Sequence, residues 1–341
     1  MRKRIMAIVC VIALCFSMVG CGAKKKDSKD TSSSTTEELK TIKVAGNPFI
    51  GAAPLYVAEA KGMFEKHGLK VEDVQFDDTS QSVSALIAGK VDVCGGTLDA
   101  IMIAADQSAS DKIPVAFYVQ DDSEGADGIV AVNGINTVAD LKGKKIGVDI
   151  NQTSHMLLSH ALAENGMTDE DVTLIDMSSS DAGSSFIAGS LDAAVTWEPY
   201  LSNAANSGVG SMIYSSADAP GLIMDVLCIS RSVAESDDNE WVVEFVAALA
   251  EAQDYINDPA TKDDAFKIIG EYLGIDAAEA ELGWSTVKSY TPAESAAALS
   301  AGGNGYDVVD IINDFYTGKG TMDNPVDASV LFDPSFAEKV K

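Results

Sequence analysis

Ile187-Ala188-Gly189-Ser190-Leu191-Asp192-Ala193-Ala194-Val195-Thr196-Trp197-Glu198-Pro199-Tyr200 reads as a helix end, a glycine turn, a short buried strand and a polar-aromatic tip. Gly189 suits the left-handed position that closes helices. Leu191 to Val195 is apolar apart from Asp192 and short enough for a parallel core strand. Pro199 stops that strand, and Glu198, the residue before a proline, is held extended. In open α/β sheets, ligands sit beyond the carboxyl ends of the strands. Trp197 and Glu198 are therefore expected where a ligand would lie.

One hundred residues earlier, Ile87-Ala88-Gly89-Lys90-Val91-Asp92-Val93 repeats the pattern. Upstream, Asp73-Val74-Gln75-Phe76 matches Asp171-Val172-Thr173-Leu174, and Gly68-Leu69 matches Gly166-Met167. Residues 41–97 and 144–197 thus each read β-α-β-α-β. Two similar units in one chain predict two α/β lobes with facing strand ends.

The chain has 341 residues, 46% apolar and 22% charged, which is a globular composition with room for about two full cores. Its net charge of −28 repels nucleic acid and anionic lipid, so neither is expected as a direct partner of the folded part. The start is different. Arg2-Lys3-Arg4 precedes an apolar run from Ile5 to Val19 that is too short for a comfortable span, then Gly20-Cys21. That order predicts a signal peptide over residues 1–20. Residues 22–40 of the stretch 21–40 hold Lys24-Lys25-Lys26 and a Ser/Thr run, with Leu39 as the one apolar residue larger than alanine. Such a stretch buries too little surface to offset ordering entropy and is expected to be a tether.

Lobe 1 is expected over residues 41–120 together with 231–341, and lobe 2 over 121–230. The acidic turn Gln120 to Asp127 and the run Ile223 to Ser230 are the expected crossings. Ala53 to Lys66 reads as one helix. After Ser232 the pattern is nearly all helical, with Trp241, Val242, Phe245, Val246 and Leu249 at helical spacing. The tail beyond Gly320 reads as loop.

Helix starts near Asn47, Thr79-Ser80-Gln81, Asn151-Gln152-Thr153-Ser154-His155 and Ser178-Ser179-Ser180 are expected to point into the cleft. There they offer N–H groups, hydroxyls and amides, although helix capping alone also accounts for the hydroxyls. The candidate ligand contacts are Asn47, Phe49, Gln81, Thr97, Gln120, Thr153, Ser154, His155, Trp197, Glu198 and Asp225. Lysine and arginine are absent from these loops, whereas Asp99, Asp121, Glu198 and Asp225 are present. A small ligand with N–H groups suits them, as does a monoanion held by backbone N–H. Catalytic patterns are weak. His155 and His160 do not share a helix face, and no GxSxG, GxxxxGK[ST] or GxGxxG stretch occurs, so neither metal nor cofactor is expected. Cys94 and Cys228 read as buried strand residues; whether they pair stays open.

Ala53-Pro54-Leu55-Tyr56-Val57-Ala58, Lys61-Gly62-Met63-Phe64-Glu65-Lys66-His67-Gly68-Leu69, Asp140-Leu141-Lys142-Gly143-Lys144-Lys145 and Asp192 through Tyr200 resemble the substrate-binding proteins of the sulfonate, taurine, nitrate and thiamine-pyrimidine group. Gly20-Cys21 resembles the bacterial lipoprotein box, with Met18 where leucine is usual. The resemblance implies a two-lobed type II periplasmic-binding fold with mostly parallel sheets and a helical C-terminal region. It implies a lipid on Cys21, anchorage at the outer face of the cytoplasmic membrane, a monomer, and delivery of a small solute to an ABC permease. A sulfonate, taurine or nitrate-type solute or an aminopyrimidine would fit that role. A pyrimidine-synthase-like enzyme and a sensor ectodomain are the alternatives from other classes; the cysteine-rich motif of the synthases is missing.

Overall fold

A computed structural model describes residues 39–76 and 79–340. The leader, Cys21, nearly all of the tether and Asp77-Asp78 lie outside the described residues. The first sheet begins with β1 (Lys40–Gly46), followed by α1 (Ala53–Ala60), α2 (Met63–Lys66) and β2 (Leu69–Gln75). The single helix expected over residues 53–66 is two, because Gly62 takes a left-handed conformation between them. Next come α3 (Thr79–Ile87), β3 (Val93–Thr97), α4 (Leu98–Asp106) and β4 (Val115–Ser123). The second sheet is built from β5 (Asp127–Val132), β6 (Lys145–Val148), α5 (Thr153–Glu164), β7 (Thr173–Asp176), α6 (Ser179–Ile187), β8 (Ala193–Trp197), α7 (Tyr200–Ala205) and β9 (Gly210–Ser215). Then β10 (Met224–Ile229) returns to the first sheet, giving orders β11-β4-β10-β3-β1-β2 and β7-β6-β8-β5-β9, where β11 is Val287–Ser289.

The repeat seen in sequence is a repeat of hydrogen bonding. In the first copy β1 pairs in parallel with β2 and β3; in the second β6 pairs in parallel with β7 and β8. Val93 and Cys94 take the ladder positions that Ala193 and Ala194 take one hundred residues later. Gly89 (φ 66°) and Gly189 (φ 74°) close α3 and α6 in the left-handed region that other residues avoid. The aspartate of each motif does the same work. Lys43 N–H donates to Asp92 Oδ2 at 2.8 Å, and Lys145 N–H donates to Asp192 Oδ2 at 2.8 Å. Each carboxylate thereby ties the start of its own strand to a backbone N–H of the neighbouring one.

The sheets are mixed, which corrects the expectation of mostly parallel ones. β10 runs antiparallel to β3 and β4, β11 runs antiparallel to β4, and β5 runs antiparallel to β8 and β9. A chain that enters a sheet from the other lobe arrives at the strands' carboxyl ends and has to run back. The same pairings put Asp121–Ser123 and Met224–Ile229, expected within lobe 2, in the first sheet.

The remaining helices are α8 (Arg231–Ala234), α9 (Glu240–Asn257), α10 (Lys262–Leu273), α11 (Ala277–Trp284), α12 (Pro292–Leu299), α13 (Asn304–Lys319), α14 (Ala328–Leu331) and α15 (Ser335–Glu338). They gather on the first sheet. Trp241, Val242, Phe245, Val246 and Leu249 of α9 are all buried, as their spacing predicts. Phe245 stacks on Phe64 at 5.0 Å and meets Phe117 edge-on at 6.4 Å. Each such side chain contributes roughly 1.5–3 kcal/mol by leaving water. The tail is not loop. Phe336 of α15 is 1% exposed and packs edge-on against Phe117, while Phe332 bridges to Ala116 of β4. Its apolar residues are too far apart to show a period, yet Leu331, Phe332, Phe336 and Ala337 are all buried. Cys94 and Cys228 stand opposite each other on β3 and β10 as free, buried thiols.

Candidate functional site

Two rows of side chains define the site. On the first sheet, ladder pairing sets Asp225 of β10 beside Thr97 of β3 and Asp121 of β4. On the second, Asp127 of β5 pairs with Trp197 of β8. Residues directly opposite on neighbouring strands share a face, so each sheet presents one row where its motif strand runs out. Between the rows lies a cavity of ≈ 50 Å³ lined by Asn47, Phe49, Thr79, Thr97, Asp127, Thr153, Trp197 and Asp225. Asn47 and Trp197 also line a wider outer space of ≈ 710 Å³, with Ser178, Ser180, Asp181 and Tyr200 on its wall.

The lobes touch across this cleft. Thr153 Oγ1, at the first turn of α5, lies 2.9 and 3.0 Å from the Asp99 oxygens and 3.1 Å from Thr97 Oγ1. Tyr316 of α13 donates to the same Asp99 carboxylate from the opposite side. At the rim, Ser80 Oγ donates to Gln152 Oε1 at 3.4 Å.

Electrostatically the floor is unusual. Asp121, Asp122, Asp127 and Asp225 are buried, and the cavity lining contains no lysine or arginine. Burial, then repulsion from Asp121, Asp127, Asp99 and Asp122, pushes the Asp225 carboxyl well above the usual carboxylate range. Burial likewise drives Asp121 well up against an opposing hydrogen bond from Gln120. Asp127 is pushed up to about 7, mainly by burial; its bond from Ser123 Oγ at 2.7 Å works the other way. Asp121 Oδ1 and Trp197 Nε1 are buried without a hydrogen-bond partner among the described residues.

Of the residues singled out from sequence, Asn47, Phe49, Thr97, Thr153, Trp197 and Asp225 line the inner cavity. The others do not. Gln81 sits one turn out, at the exposed mouth beside Ser80 and Gln152. Gln120 alternates with Asp121 along β4 and faces Pro54, Leu55 and Tyr118 instead. Ser154 ties α5 to α6 through a 2.6 Å contact between its hydroxyl and that of Ser179. His155 is buried on the far side of α5: Asn151 N–H donates to Nδ1 at 3.1 Å, leaving Nε2 to donate to Asp169 at 2.9 Å. Burial would raise Asp169, but bonds from His155, Lys319 and Ser159 hold it well below the usual range. Glu198 follows Trp197 on the pleat and so points away, accepting from the Ser202 hydroxyl at 2.7 Å and the Ser202 N–H at 3.1 Å. It lines a separate pocket of ≈ 260 Å³ against Leu273, Ile275 and Leu282.

Thr79 and Asp127 are the lining residues that sequence reasoning missed. Thr79 was legible as a cleft-facing helix start two residues from Gln81, which sequence reasoning names as the contact instead. Asp127 was read as part of a crossing turn, because only the β5–β8 ladder places it beside Trp197.

The sequence model of the NMT1-like family matches residues 35–270, more than half of the chain. The chain belongs to the NMT1-like family. A Brucella abortus (strain 2308) protein named for a binding role is 30% identical over 281 residues, covering 81% of this NMT1-like chain and 85% of the relative. The taurine-binding periplasmic protein of Escherichia coli (strain K12) is 28% identical, over 61% of this chain and 65% of its own. Among solved structures, the periplasmic aliphatic sulphonate binding protein SsuA of Escherichia coli superposes with a TM-score of 0.71 at 20% identity, covering 85% of this chain and 91% of that one. The last match shows that the NMT1-like chain has the periplasmic-binding fold. These relatives are named as binding proteins, not as enzymes.

Proposed function

We propose that this chain is the extracytoplasmic solute-binding component of an ABC importer: a monomer held to the outer face of the cytoplasmic membrane by lipid on Cys21. It captures a small polar organic solute between its lobes and hands it to a membrane permease. The observation that carries the reading is the cavity closed between the ends of β3 and β8 and lined from both copies of the repeat. The named relatives support it, since taurine- and sulphonate-binding proteins share its sequence or its fold. Capture then needs the lobes to part about the strands that cross between the sheets, and the Thr153–Asp99 contact to re-form on closure.

Calorimetry and thermal unfolding of the protein from residue 21 onward test this, against sulfonates, taurine, nitrate, amino acids and pyrimidines. One solute is expected to bind with a single site and, at about 100 times its dissociation constant, to add roughly 2.7 kcal/mol of stability. Failure of every class to bind defeats the reading. Retention of a Cys21→Ser variant at the membrane defeats the lipid anchor.

A further inference from the structure

Asp225 is 6% exposed and lines the inner cavity, and among the described residues none donates a hydrogen bond to its carboxylate. Its remaining open face is the cavity itself. Across from it, Asp127 is also 6% exposed and accepts one bond, from Ser123. Beside it on β4, Asp121 has a buried oxygen with no partner among the described residues. A fold gains nothing in stability from this. Unpaired buried carboxylates are costly, and replacing them with apolar groups is usually neutral or favourable. The arrangement makes sense when a positive group from outside completes it.

The size of the space agrees. At 10–15 Å³ for each water-sized position, ≈ 50 Å³ holds roughly four heavy atoms. That is a head group and not a whole solute; the wider outer space takes the remainder. The walls agree as well. Trp197 and Phe49 offer aromatic surface to a cation, and Asn47, Thr79 and Thr97 offer oxygens to N–H groups. An anionic head would instead face Asp225 and Asp127 with no basic residue in the lining.

Resting on the solute-binding reading above, we infer that the group reaching the inner cavity is a cationic nitrogen that carries N–H, an ammonium, amidinium or guanidinium head, and that Asp225 and Asp127 are its counter-ions. The charged groups facing Asp225 are Asp121 and Asp122 on β4, Asp99 on α4 and Asp127 on β5; Lys288 of β11 acts on Asp122 and lies outside the lining. Burial raises both Asp225 and Asp127, so without a ligand these acids hold their protons to higher pH than ordinary carboxylates. A cation then displaces a proton as it binds, and affinity rises with pH.

Three small probes decide it, each at matched ionic strength on the full folded chain: acetamidinium, the near-isosteric neutral acetamide, and methanesulfonate. Acetamidinium is expected to raise the unfolding temperature saturably and the other two are not. Its affinity is expected to be at least about tenfold higher near pH 8 than near pH 5.5, with proton release seen in calorimetry across buffers. Asp225→Asn is expected to weaken it by about tenfold or more, and Asp127→Asn serves as a second variant should the first fail to fold. Equal or better stabilisation by methanesulfonate, strengthening at acid pH because protonated Asp225 and Asp127 donate to it, overturns the inference. So does an absence of binding by all three probes. The importer reading stands apart from this result: it is judged by the wider solute panel and survives an anion that binds.

Discussion

The two copies of the repeat agree in their frame and differ at their tips. Asp92 and Asp192 make the same clamp at the same distance, and Gly89 and Gly189 make the same turn. One hundred residues apart, Gly96 and Thr196 do not match, and neither do Thr79 and Ser179. In the first copy a side chain on Gly96 would meet the Thr79 methyl at 2.1 Å, so a bulky helix start sits on a bare strand. In the second, Thr196 Oγ1 donates to the Ser179 carbonyl at 2.8 Å, so a small helix start sits on a bulky strand. Bulk has moved from one partner to the other. The last strand residues diverge further: Thr97 leaves room for Asp225, whereas Trp197 fills its side of the cleft with a ring. A duplicated unit thus keeps what closes its backbone and varies what faces the cleft.

The largest expected effect concerns the acids that the two tips present. Folded Asp127 titrates at about 7 against an ordinary value of 3.8, so the folded state holds its proton more tightly. The stability this contributes is full below the unfolded value and lost as pH rises through about 7. That loss is on the order of 4 kcal/mol, and Asp225 and Asp121 act in the same direction. The ligand-free protein is expected to be less stable in urea at alkaline than at mildly acid pH, and Asp127→Asn to lose clearly less. An identical pH slope in both would remove Asp127 from the account.

Next comes the exchanged bulk. Gly96→Thr alone is expected to cost about 3 kcal/mol by overpacking against Thr79, and adding Thr79→Ser to recover at least half. Additive effects in the double variant would show that the two positions do not share one space. The clamps follow. Asp92→Ala and Asp192→Ala should each cost about 1.5 kcal/mol, and by similar amounts, because each removes one charge-assisted bond to a strand N–H. A large difference in their chemical unfolding midpoints would break the equivalence of the copies. The smallest effects separate neighbours at one tip. Trp197→Ala should weaken acetamidinium binding by about tenfold, or 1.4 kcal/mol. Glu198→Gln should leave it within about twofold, since its carboxylate is engaged by Ser202. Equal losses in calorimetry would return Glu198 to the cleft.

The frame was legible because it rests on local rules. Glycine at a helix end, an aspartate at a strand start and an apolar run of strand length are each visible within ten residues, and their recurrence revealed the two lobes. Most of the inner lining was legible, six of its eight residues, and Asn47, Thr97, Thr153 and Trp197 for the same reason: they stand next to element ends that sequence can locate. The two failures on strands or strand ends share one cause. Gln120 and Glu198 lie one residue from Asp121 and Trp197, and a strand turns successive side chains to opposite faces. An end located to within a residue therefore leaves the facing side chain undecided.

By itself, then, the sequence determined a doubled α/β chain with an acidic exterior and strand ends that face a cleft, since periodicity and turn chemistry act over short stretches. Tertiary structure alone decided that Asp225 stands beside Thr97 and that Asp127 stands beside Trp197. These residues meet through antiparallel strands that arrive from the opposite lobe or from far along the chain. Such register is set by long-range pairing, and no local pattern encodes it.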